Sequence, residues 1–574
     1  MGGRRAGTTA AVAVLVAAPF LLVGLGGVPF DDPGEGMHAE IARELYASGD
    51  PLDLRLGGVR YLDKPPLLYV LIAGTFALGG ESEATARLVP ALAALAAVGA
   101  TAWLGARLLG VRGGLIAGGA LLTSAGFFAY GRYVRPETLF VAALAWGLAL
   151  VLTGLADGHR AWVVAGLACF GLAALAKDPL GAVAPPAVIG LALALGRRAR
   201  PVGRWLPWTG VACAALLAFG WWALAELRSP GFTWYTLVDN HLLNVARARR
   251  FPDEDVPLWA AQFLTVAGVG AAPWIIPAAL ATAALVRRRA WREPRELPWV
   301  ALALWAVAVL GLTALSPFRL PHYGLPAYPA IALLAARAWV ETGGRRLVAA
   351  HALGCAVIAA ACAAAWASGG DAFARHVLGV TDVATRKAAL AGHAGALPPW
   401  EAIRPLFGAT AVTLGGAATG LGLLAAMPGR GPAGTGPAVV LAAMLAVLPC
   451  VGAGLARVSA HRAVRALAVE VARQAGPDDV VAHEGPLENS GALEWYSRRR
   501  PVIVDGGRSV LAFGATLDGG GEIVWEPARL RRAWESERRV WVVTTRTPEG
   551  SVTAGLPGAR LVAASGGRRL YVNR

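Results

Sequence analysis

The chain has 574 residues, of which 56% are apolar and 16% charged, with a formal net charge of +16. A soluble domain carries about 25% charged residues, so the composition is that of a membrane protein rather than a soluble enzyme. The positive charge does not point to nucleic acid, because the arginines sit in short loops between apolar runs, where the positive-inside rule accounts for them.

Arg4-Arg5 and the apolar run behind them have the outline of a signal sequence. The run is long and has no convincing small-x-small cleavage site, so a retained first span over 10–30 is expected. Behind it, the loop 31–85 is rich in acids, among them Asp31, Asp32, Glu35, Glu40, Glu44 and Asp50. Residues 37–46 read as a solvated amphipathic helix with Glu40 and Glu44 one turn apart on its polar face. Asp31, Asp32 and Glu35 fall instead in a Pro/Gly-bent turn that such a helix does not need. The stretch 65–80 is apolar but short and led by two prolines, and is expected to lie on the membrane surface. Further spans are expected near 86–106, 113–131, 136–156, 161–176, 179–196, 205–226, 258–286, 297–315, 322–340, 347–368, 406–427 and 436–456. With the first, that makes about thirteen, each near the ~20 residues a bilayer requires.

Charge decides the topology. With Arg4-Arg5 in the cytoplasm, the loops at 107–112, 158–160, 197–204, 287–295, 341–346 and 427–437 fall on the same side, and they hold nearly all the dense arginine clusters. Counting 65–80 as a span would turn the blocks at 197–204 and 287–295 outward, against the rule. The outer loops are then 31–85, 132–137, the Lys177-Asp178 turn, 227–257, 316–323 and 369–405. Beyond 456 the chain turns polar, with short β-rich runs (VVAHEG, PVIVDGG, RVWVVTT, RLYVNR). The expected organisation is an all-α polytopic domain over 1–456 and a small extracytoplasmic α/β domain over 457–574. The five cysteines (Cys169, Cys213, Cys355, Cys362, Cys450) lie in apolar runs as packing residues, with no metal or disulfide spacing.

Chemistry-bearing residues gather on the outer side. Lys64 precedes two prolines, and Tyr61 and Asp63 beside it would fix its position; it reads either as a snorkelling anchor or as a cation for a lipid phosphate. Glu137 opens a membrane helix next to Arg132 and Arg135. Lys177-Asp178 stands between two spans with no other charge within ten residues on either side, and ionisable groups next to lipid are costly enough to have a use. Asp239-Asn240-His241 and the turn holding Arg319, His322 and Tyr323 complete the set. A general base with cations for a phosphate leaving group requires such a collection.

EGMHAEIAREL followed by RLGGVRYLDKPPLLY resembles the first outer loop of the GT-C glycosyltransferases related to lipid A aminoarabinose transferase and protein mannosyltransferases. RYVRPETLF, LAKDPLG, LVDNHLLNVARARRF and SPFRLPHYGLPAYPAIALLAAR follow in the family's order through about residue 340. LENSGALEWYSRRRPVIVDG resembles its C-terminal domain. The resemblance implies an inverting transfer of a sugar from a polyprenyl-phosphate donor to a lipid (lipid A-like) or protein acceptor at the outer, periplasmic face of a bacterial inner membrane. It implies a first-loop carboxylate, Glu35 or Asp32, as base or acceptor-orienting group, and Glu137 as a second acid. Lys64, with Lys177 or Arg319 and Tyr323, would bind the donor phosphate, with Tyr61 beside them. Asp63 and His241 occupy positions where some relatives hold a structural zinc or other divalent cation. The chain departs from the family at the adjacent Asp-Glu pair of the first loop, which is Gly34-Glu35 here. No Gly-rich nucleotide-binding unit precedes the spans. A flippase or transporter would want charges inside spans and repeated halves. An O-antigen ligase or polymerase would carry one large outer loop rich in Arg and His.

Overall fold

The computed structural model describes residues 2–574 except 255, 343, 369, 371, 373, 374, 378–385, 387–396, 428–431, 518 and 519. Much of the expected outer loop 369–405 and part of the loop 427–437 therefore lie outside the described residues. Among the described residues, eight helices are long and apolar enough to cross a membrane, or nine if one bent pair counts as a span. Large apolar side chains such as Leu15, Leu216, Leu312 and Val412 point outward from these helices. That suits a lipid solvent, where outward apolar groups cost nothing.

Helix α1 (Gly2–Leu22) leads to α2 (Glu35–Ser48), a two-stranded hairpin of β1 (Arg55–Leu56) and β2 (Val59–Arg60), and α3 (Leu67–Gly79). With thirteen residues, α3 reaches about 20 Å at 1.5 Å per residue, less than the bilayer core, in keeping with a surface element. Helix α4 (Glu83–Leu122) is a hairpin in all but name: Gly110, at φ 78°, reverses the chain. Its two arms pack on small residues, since a Cβ on Gly114 would lie 2.6 Å from Ala102 O and one on Gly118 2.9 Å from Ala102 Cβ. After the short α5 (Ala125–Tyr130), the same device closes α6 (Glu137–Asp157) on α7 (Arg160–Ala176), where a Cβ on Gly147 would run into the Phe170 ring.

The expected single span over 258–286 is instead two helices, α8 (Ala260–Gly270) and α9 (Ile275–Arg287), bent by 106°. Pro273 sits in the break and cannot donate to a continuing helical ladder. The expected span at 322–340 begins as a 3₁₀ turn, Pro321–Ala327, before α10 (Tyr328–Thr342), for the same reason: Pro321 and Pro326 interrupt it.

The helix Pro432–Arg462 runs on to a six-stranded sheet. Its order is β5 (Val524–Trp525), β4 (Val502–Val504), β3 (Val480–Glu484), β6 (Val540–Thr544), β8 (Arg568–Val572), β7 (Arg560–Ser565), the first four strands parallel and the last two antiparallel. The four β-rich runs of the sequence are β3, β4, β6 and β8. One hydrophobic core joins this sheet to the first loop: Phe30, Ile41, Leu45, Tyr69 and Phe76 share it with Leu467, Leu493, Trp495, Ile503 and Trp541. The helix Gly491–Ser497 lies across α2. In consequence α2 is not the solvated surface helix its pattern suggests; Glu40 is fully buried and Glu44 largely so. The covering helix lies some 450 residues further along the chain, beyond the reach of any local pattern.

Candidate active site

The tight turns at one end of the bundle bring Lys64, Glu137, Lys177, Asp178, His241 and Tyr323 into one cluster. Lys64 lies in the extended segment between β2 and α3, pinned by Pro65-Pro66. Its Nζ is 2.6 Å from Asp63 Oδ2. Burial works against both charges, but their mutual attraction wins. It holds the Asp63 carboxyl below its usual range and, with help from Asp178 and Glu137, the Lys64 ammonium above its own. Lys64 stays 29% exposed, so it remains reachable.

Glu137 opens α6, where the helix dipole favours an anion, and is almost fully buried. Lys177 Nζ is 3.2 Å from its Oε1, His322 Nε2 3.3 Å from the same oxygen, and Arg135 Nε 3.4 Å from Oε2. Two guanidinium or ammonium groups thus share one carboxylate. Lys177 also stands over the Tyr323 ring at 5.1 Å and the Phe140 ring at 5.7 Å. Burial lowers its pKa, and Glu137 makes good only part of the loss. Asp178 accepts from His241 Nε2 at 3.0 Å, which raises the imidazole and, against burial, lowers the acid.

Two further members were given no role from the sequence, one of them named there only as part of the 316–323 turn. His38, one turn along α2 from Glu35, shares a 2.8 Å hydrogen bond with the Tyr69 hydroxyl. Burial, then the charge of Arg135, press its pKa to about 3, so it is neutral. His322 is the other; the sequence signal was its place beside Tyr323 in the 3₁₀ turn.

The remaining expected residues sit elsewhere or are otherwise engaged. Both carboxylate oxygens of Glu35 meet Arg87, at 2.7 and 2.5 Å, and Oε1 also accepts from Val134 N–H. Asp31 accepts from Tyr133 and Arg462. Asp32 Oδ1 accepts from Ala492 N–H at 3.0 Å, with Arg568 3.8 Å from Oδ2. Burial outweighs that arginine and raises the Asp32 pKa to about 7. Asp32 thus ties the first loop to the C-terminal sheet, while Glu35 and Asp31 tie it to α4, to the turn before Glu137 and to the end of the helix Pro432–Arg462. Arg319 donates to the carbonyls of Leu258, Ala314 and Ser316. Tyr61 is buried edge-on against Tyr69. Asp63 is paired with the Lys64 ammonium, and the two ring nitrogens of His241 bond Thr236 O and Asp178.

Fold and site together define a polytopic membrane protein with a cluster of cations and carboxylates at one end of its helical bundle. Residues 63–223 match the family described as dolichyl-phosphate-mannose-protein mannosyltransferase. The undecaprenyl phosphate-alpha-4-amino-4-deoxy-L-arabinose arabinosyl transferase of Pseudomonas aeruginosa (strain UCBPP-PA14) is 30% identical over 339 residues, 56% of this chain and 58% of that protein. The protein of that name from Pectobacterium atrosepticum is 29% identical over 344 residues, 58% of each chain. The matched part thus spans a little over half the length of these curated relatives. Crystal structures of ArnT from Cupriavidus metallidurans, apo and bound to undecaprenyl phosphate, superpose with TM-scores of 0.78 and 0.77 at 23% identity. Each comparison covers 98% of this chain, and 97% and 98% of the ArnT chains respectively. Over residues 63–223 the chain is similar to that mannosyltransferase family, and it has the fold of the ArnT crystal structures.

Proposed function

We propose that the chain moves a sugar from an undecaprenyl-type polyprenyl-phosphate donor to a lipid A-like or protein acceptor, at the outer face of a bacterial inner membrane. We further propose thirteen crossings, with a helical unit over 1–456 and an outward α/β unit over 457–574. The relatives' names supply the donor class. The observation that carries the reading is the pairing of two cations, Lys177 and Arg135, with the single carboxylate of Glu137, in the cluster that holds the partly exposed Lys64.

In the proposed reaction the donor phosphate settles on Lys64 and draws Lys177 and Arg135 toward itself. That frees Glu137 to take the proton of the acceptor hydroxyl or amine as its oxygen or nitrogen attacks the anomeric carbon. The carbon–oxygen bond to phosphate breaks, its electron pair stays on the phosphate oxygen, and the cations neutralise the growing charge. One displacement inverts the anomeric carbon. Tyr323 keeps Lys177 in place through its ring. Glu35 and Asp32 are assigned to holding the loop rather than to the base.

The test is turnover of a radiolabelled polyprenyl-phosphate sugar with membrane extract by purified protein. Transfer that is abolished in Glu137→Gln and retained in Glu35→Gln supports the assignment. Donor that is never consumed, with its lipid moved across vesicles instead, would support a transporter.

A further inference from the structure

Helix α2 and the helix Gly491–Ser497 meet over three carboxylates outside the cluster described above. Glu40 and Glu44 lie one turn apart on α2, and Glu494 faces them; one oxygen from each falls within 4.8 Å of the others. Glu40 is fully buried and Glu494 nearly so. Glu40 Oε2 and Glu494 Oε2 are both buried without a hydrogen-bond partner among the described residues. Glu494 Oε2 points at the β1–β2 turn, 3.6 Å from where a Cβ on Gly57 would sit. The next residue, Gly58, donates its N–H to Glu44, so the orphan oxygen looks into the space Glu44 borders.

The local cations do not satisfy the group. Arg43 takes Glu40 Oε1. Arg500 is shared between Glu44 and Glu494, at 3.5 and 3.4 Å, and its side chain is mostly exposed. Three acids therefore face two guanidiniums. Burial pushes all three carboxyls upward, Glu494 to about 7, and the neighbouring acids add to it for Glu40 and Glu494. Leaving buried carboxylate oxygens unmatched is costly.

We propose that Glu40, Glu44 and Glu494 form a binding site for a hard divalent cation, calcium above all, that clamps the first loop to the C-terminal sheet. An all-oxygen carboxylate set selects hard ions over zinc or copper. One ion at about 2.4 Å from each ligand is accommodated by oxygens up to ~4.8 Å apart, wider than magnesium's shorter bonds allow. Water and backbone carbonyls would supply the remaining ligands. The site is distinct from the Lys64–Glu137 cluster and does not rest on the proposed transfer reaction.

The test uses the full chain in detergent after chelator treatment. Equilibrium dialysis against radioactive calcium is expected to give one ion per chain. At a hundred times Kd, the folded-to-unfolded ratio should rise about a hundredfold, seen as a higher Tm. Glu494→Gln should weaken binding at least tenfold, whereas Glu137→Gln should leave it unchanged. Terbium should compete with calcium and luminesce through Trp495, next in sequence to Glu494; Trp495→Phe should keep the binding and lose most of that signal. Absence of saturable binding overturns the proposal, as does binding unaltered by both Glu40→Gln and Glu494→Gln. Should those variants fail to fold, sensitised luminescence surviving Trp495→Phe places the ion elsewhere and overturns it as well.

Discussion

The molecule holds two groups of buried acids on adjoining elements, and they are built to opposite ends. Glu35 and Asp31 are matched to the chain's own donors: Arg87, Val134 N–H, Tyr133 and Arg462. Glu137 is shared between Lys177 and Arg135, beside a lysine that remains reachable. Satisfied charge at a seam between distant segments fixes a fold, and surplus cation at the mouth of a bundle can accept a phosphate. Both groups look alike in sequence, as acids in outer loops. Their partners separate them.

The strongest way to break this contrast is to remove one member of the second group. Lys64→Gln is expected to cut donor turnover by about 10²–10³, the usual cost of one electrostatic contact to a developing anion. Glu137→Gln should cost about 10²–10⁴ if it takes the acceptor's proton. Both should leave the Tm within a few degrees of the parent. The contrast collapses if steady-state assays find Glu137→Gln active while Glu35→Gln is folded and inert. In the first group the loss should be of stability instead. Arg87→Ala strands Glu35 in a buried place and is expected to cost about 3–5 kcal/mol, read by denaturant or thermal unfolding in detergent. A milder Glu35→Gln, which keeps an acceptor for Val134 N–H, should cost less.

The sequence made the second group legible and hid the first. Lys64, Glu137, Lys177 and His241 stand out because a charge among long apolar runs is rare, and the arginine bias then puts them on one side of the membrane. Part of the span pattern was readable as well, including the reversal between 107 and 112 that Gly110 performs. What local pattern could not show was the partner of α2. Its polar face reads as solvated until Glu494 and Trp495, from a helix far down the chain, are laid upon it. The partners of Asp32 and Glu35 were hidden in the same way, since Arg568 and Arg87 are remote from them in sequence. The bend at Pro273 was visible as a proline, but its 106° angle comes from how two half-helices pack.

Asp32 gives a finer test within the first group, because its Oδ2 has no hydrogen-bond partner among the described residues. Its folded pKa is about 7 against an ordinary 3.8. The folded state thus binds the proton more tightly than the unfolded one, so stability is greatest below the ordinary value and falls as pH rises through about 7. Asp32→Asn should lack that fall. It is expected to be more stable than the parent at pH 8 by about 1–3 kcal/mol, the price of an unmatched buried polar group, and close to it at pH 5. Equal Tm profiles for the two proteins from pH 5 to 8 would mean Arg568 fully compensates the charge.

The smallest effect sharpens the other side of the comparison. His241 and Asp178 form an ion pair at the rim of the second group, with side chains 36% and 28% exposed, so solvent screening limits its worth to about 0.2–1 kcal/mol. The signs of the two halves differ. The imidazole's pKa is raised above 6.5 by its hydrogen bond to Asp178, so its share is complete below 6.5 and is lost as pH rises through the folded value. The carboxyl is lowered below 3.8, because burial is outweighed by the hydrogen bond and charge of His241 together with the Leu180 N–H and the Lys64 charge; its share is complete above 3.8 and lost as pH falls. The pair should therefore stabilise most between these two ordinary values. His241→Gln is expected to lower the Tm by one or two degrees at pH 5.5 and by nothing measurable at pH 9. If the Tm difference instead grows toward alkaline pH, the imidazole is held neutral in the folded protein, and the rim of this site carries one positive charge fewer for a phosphate to meet.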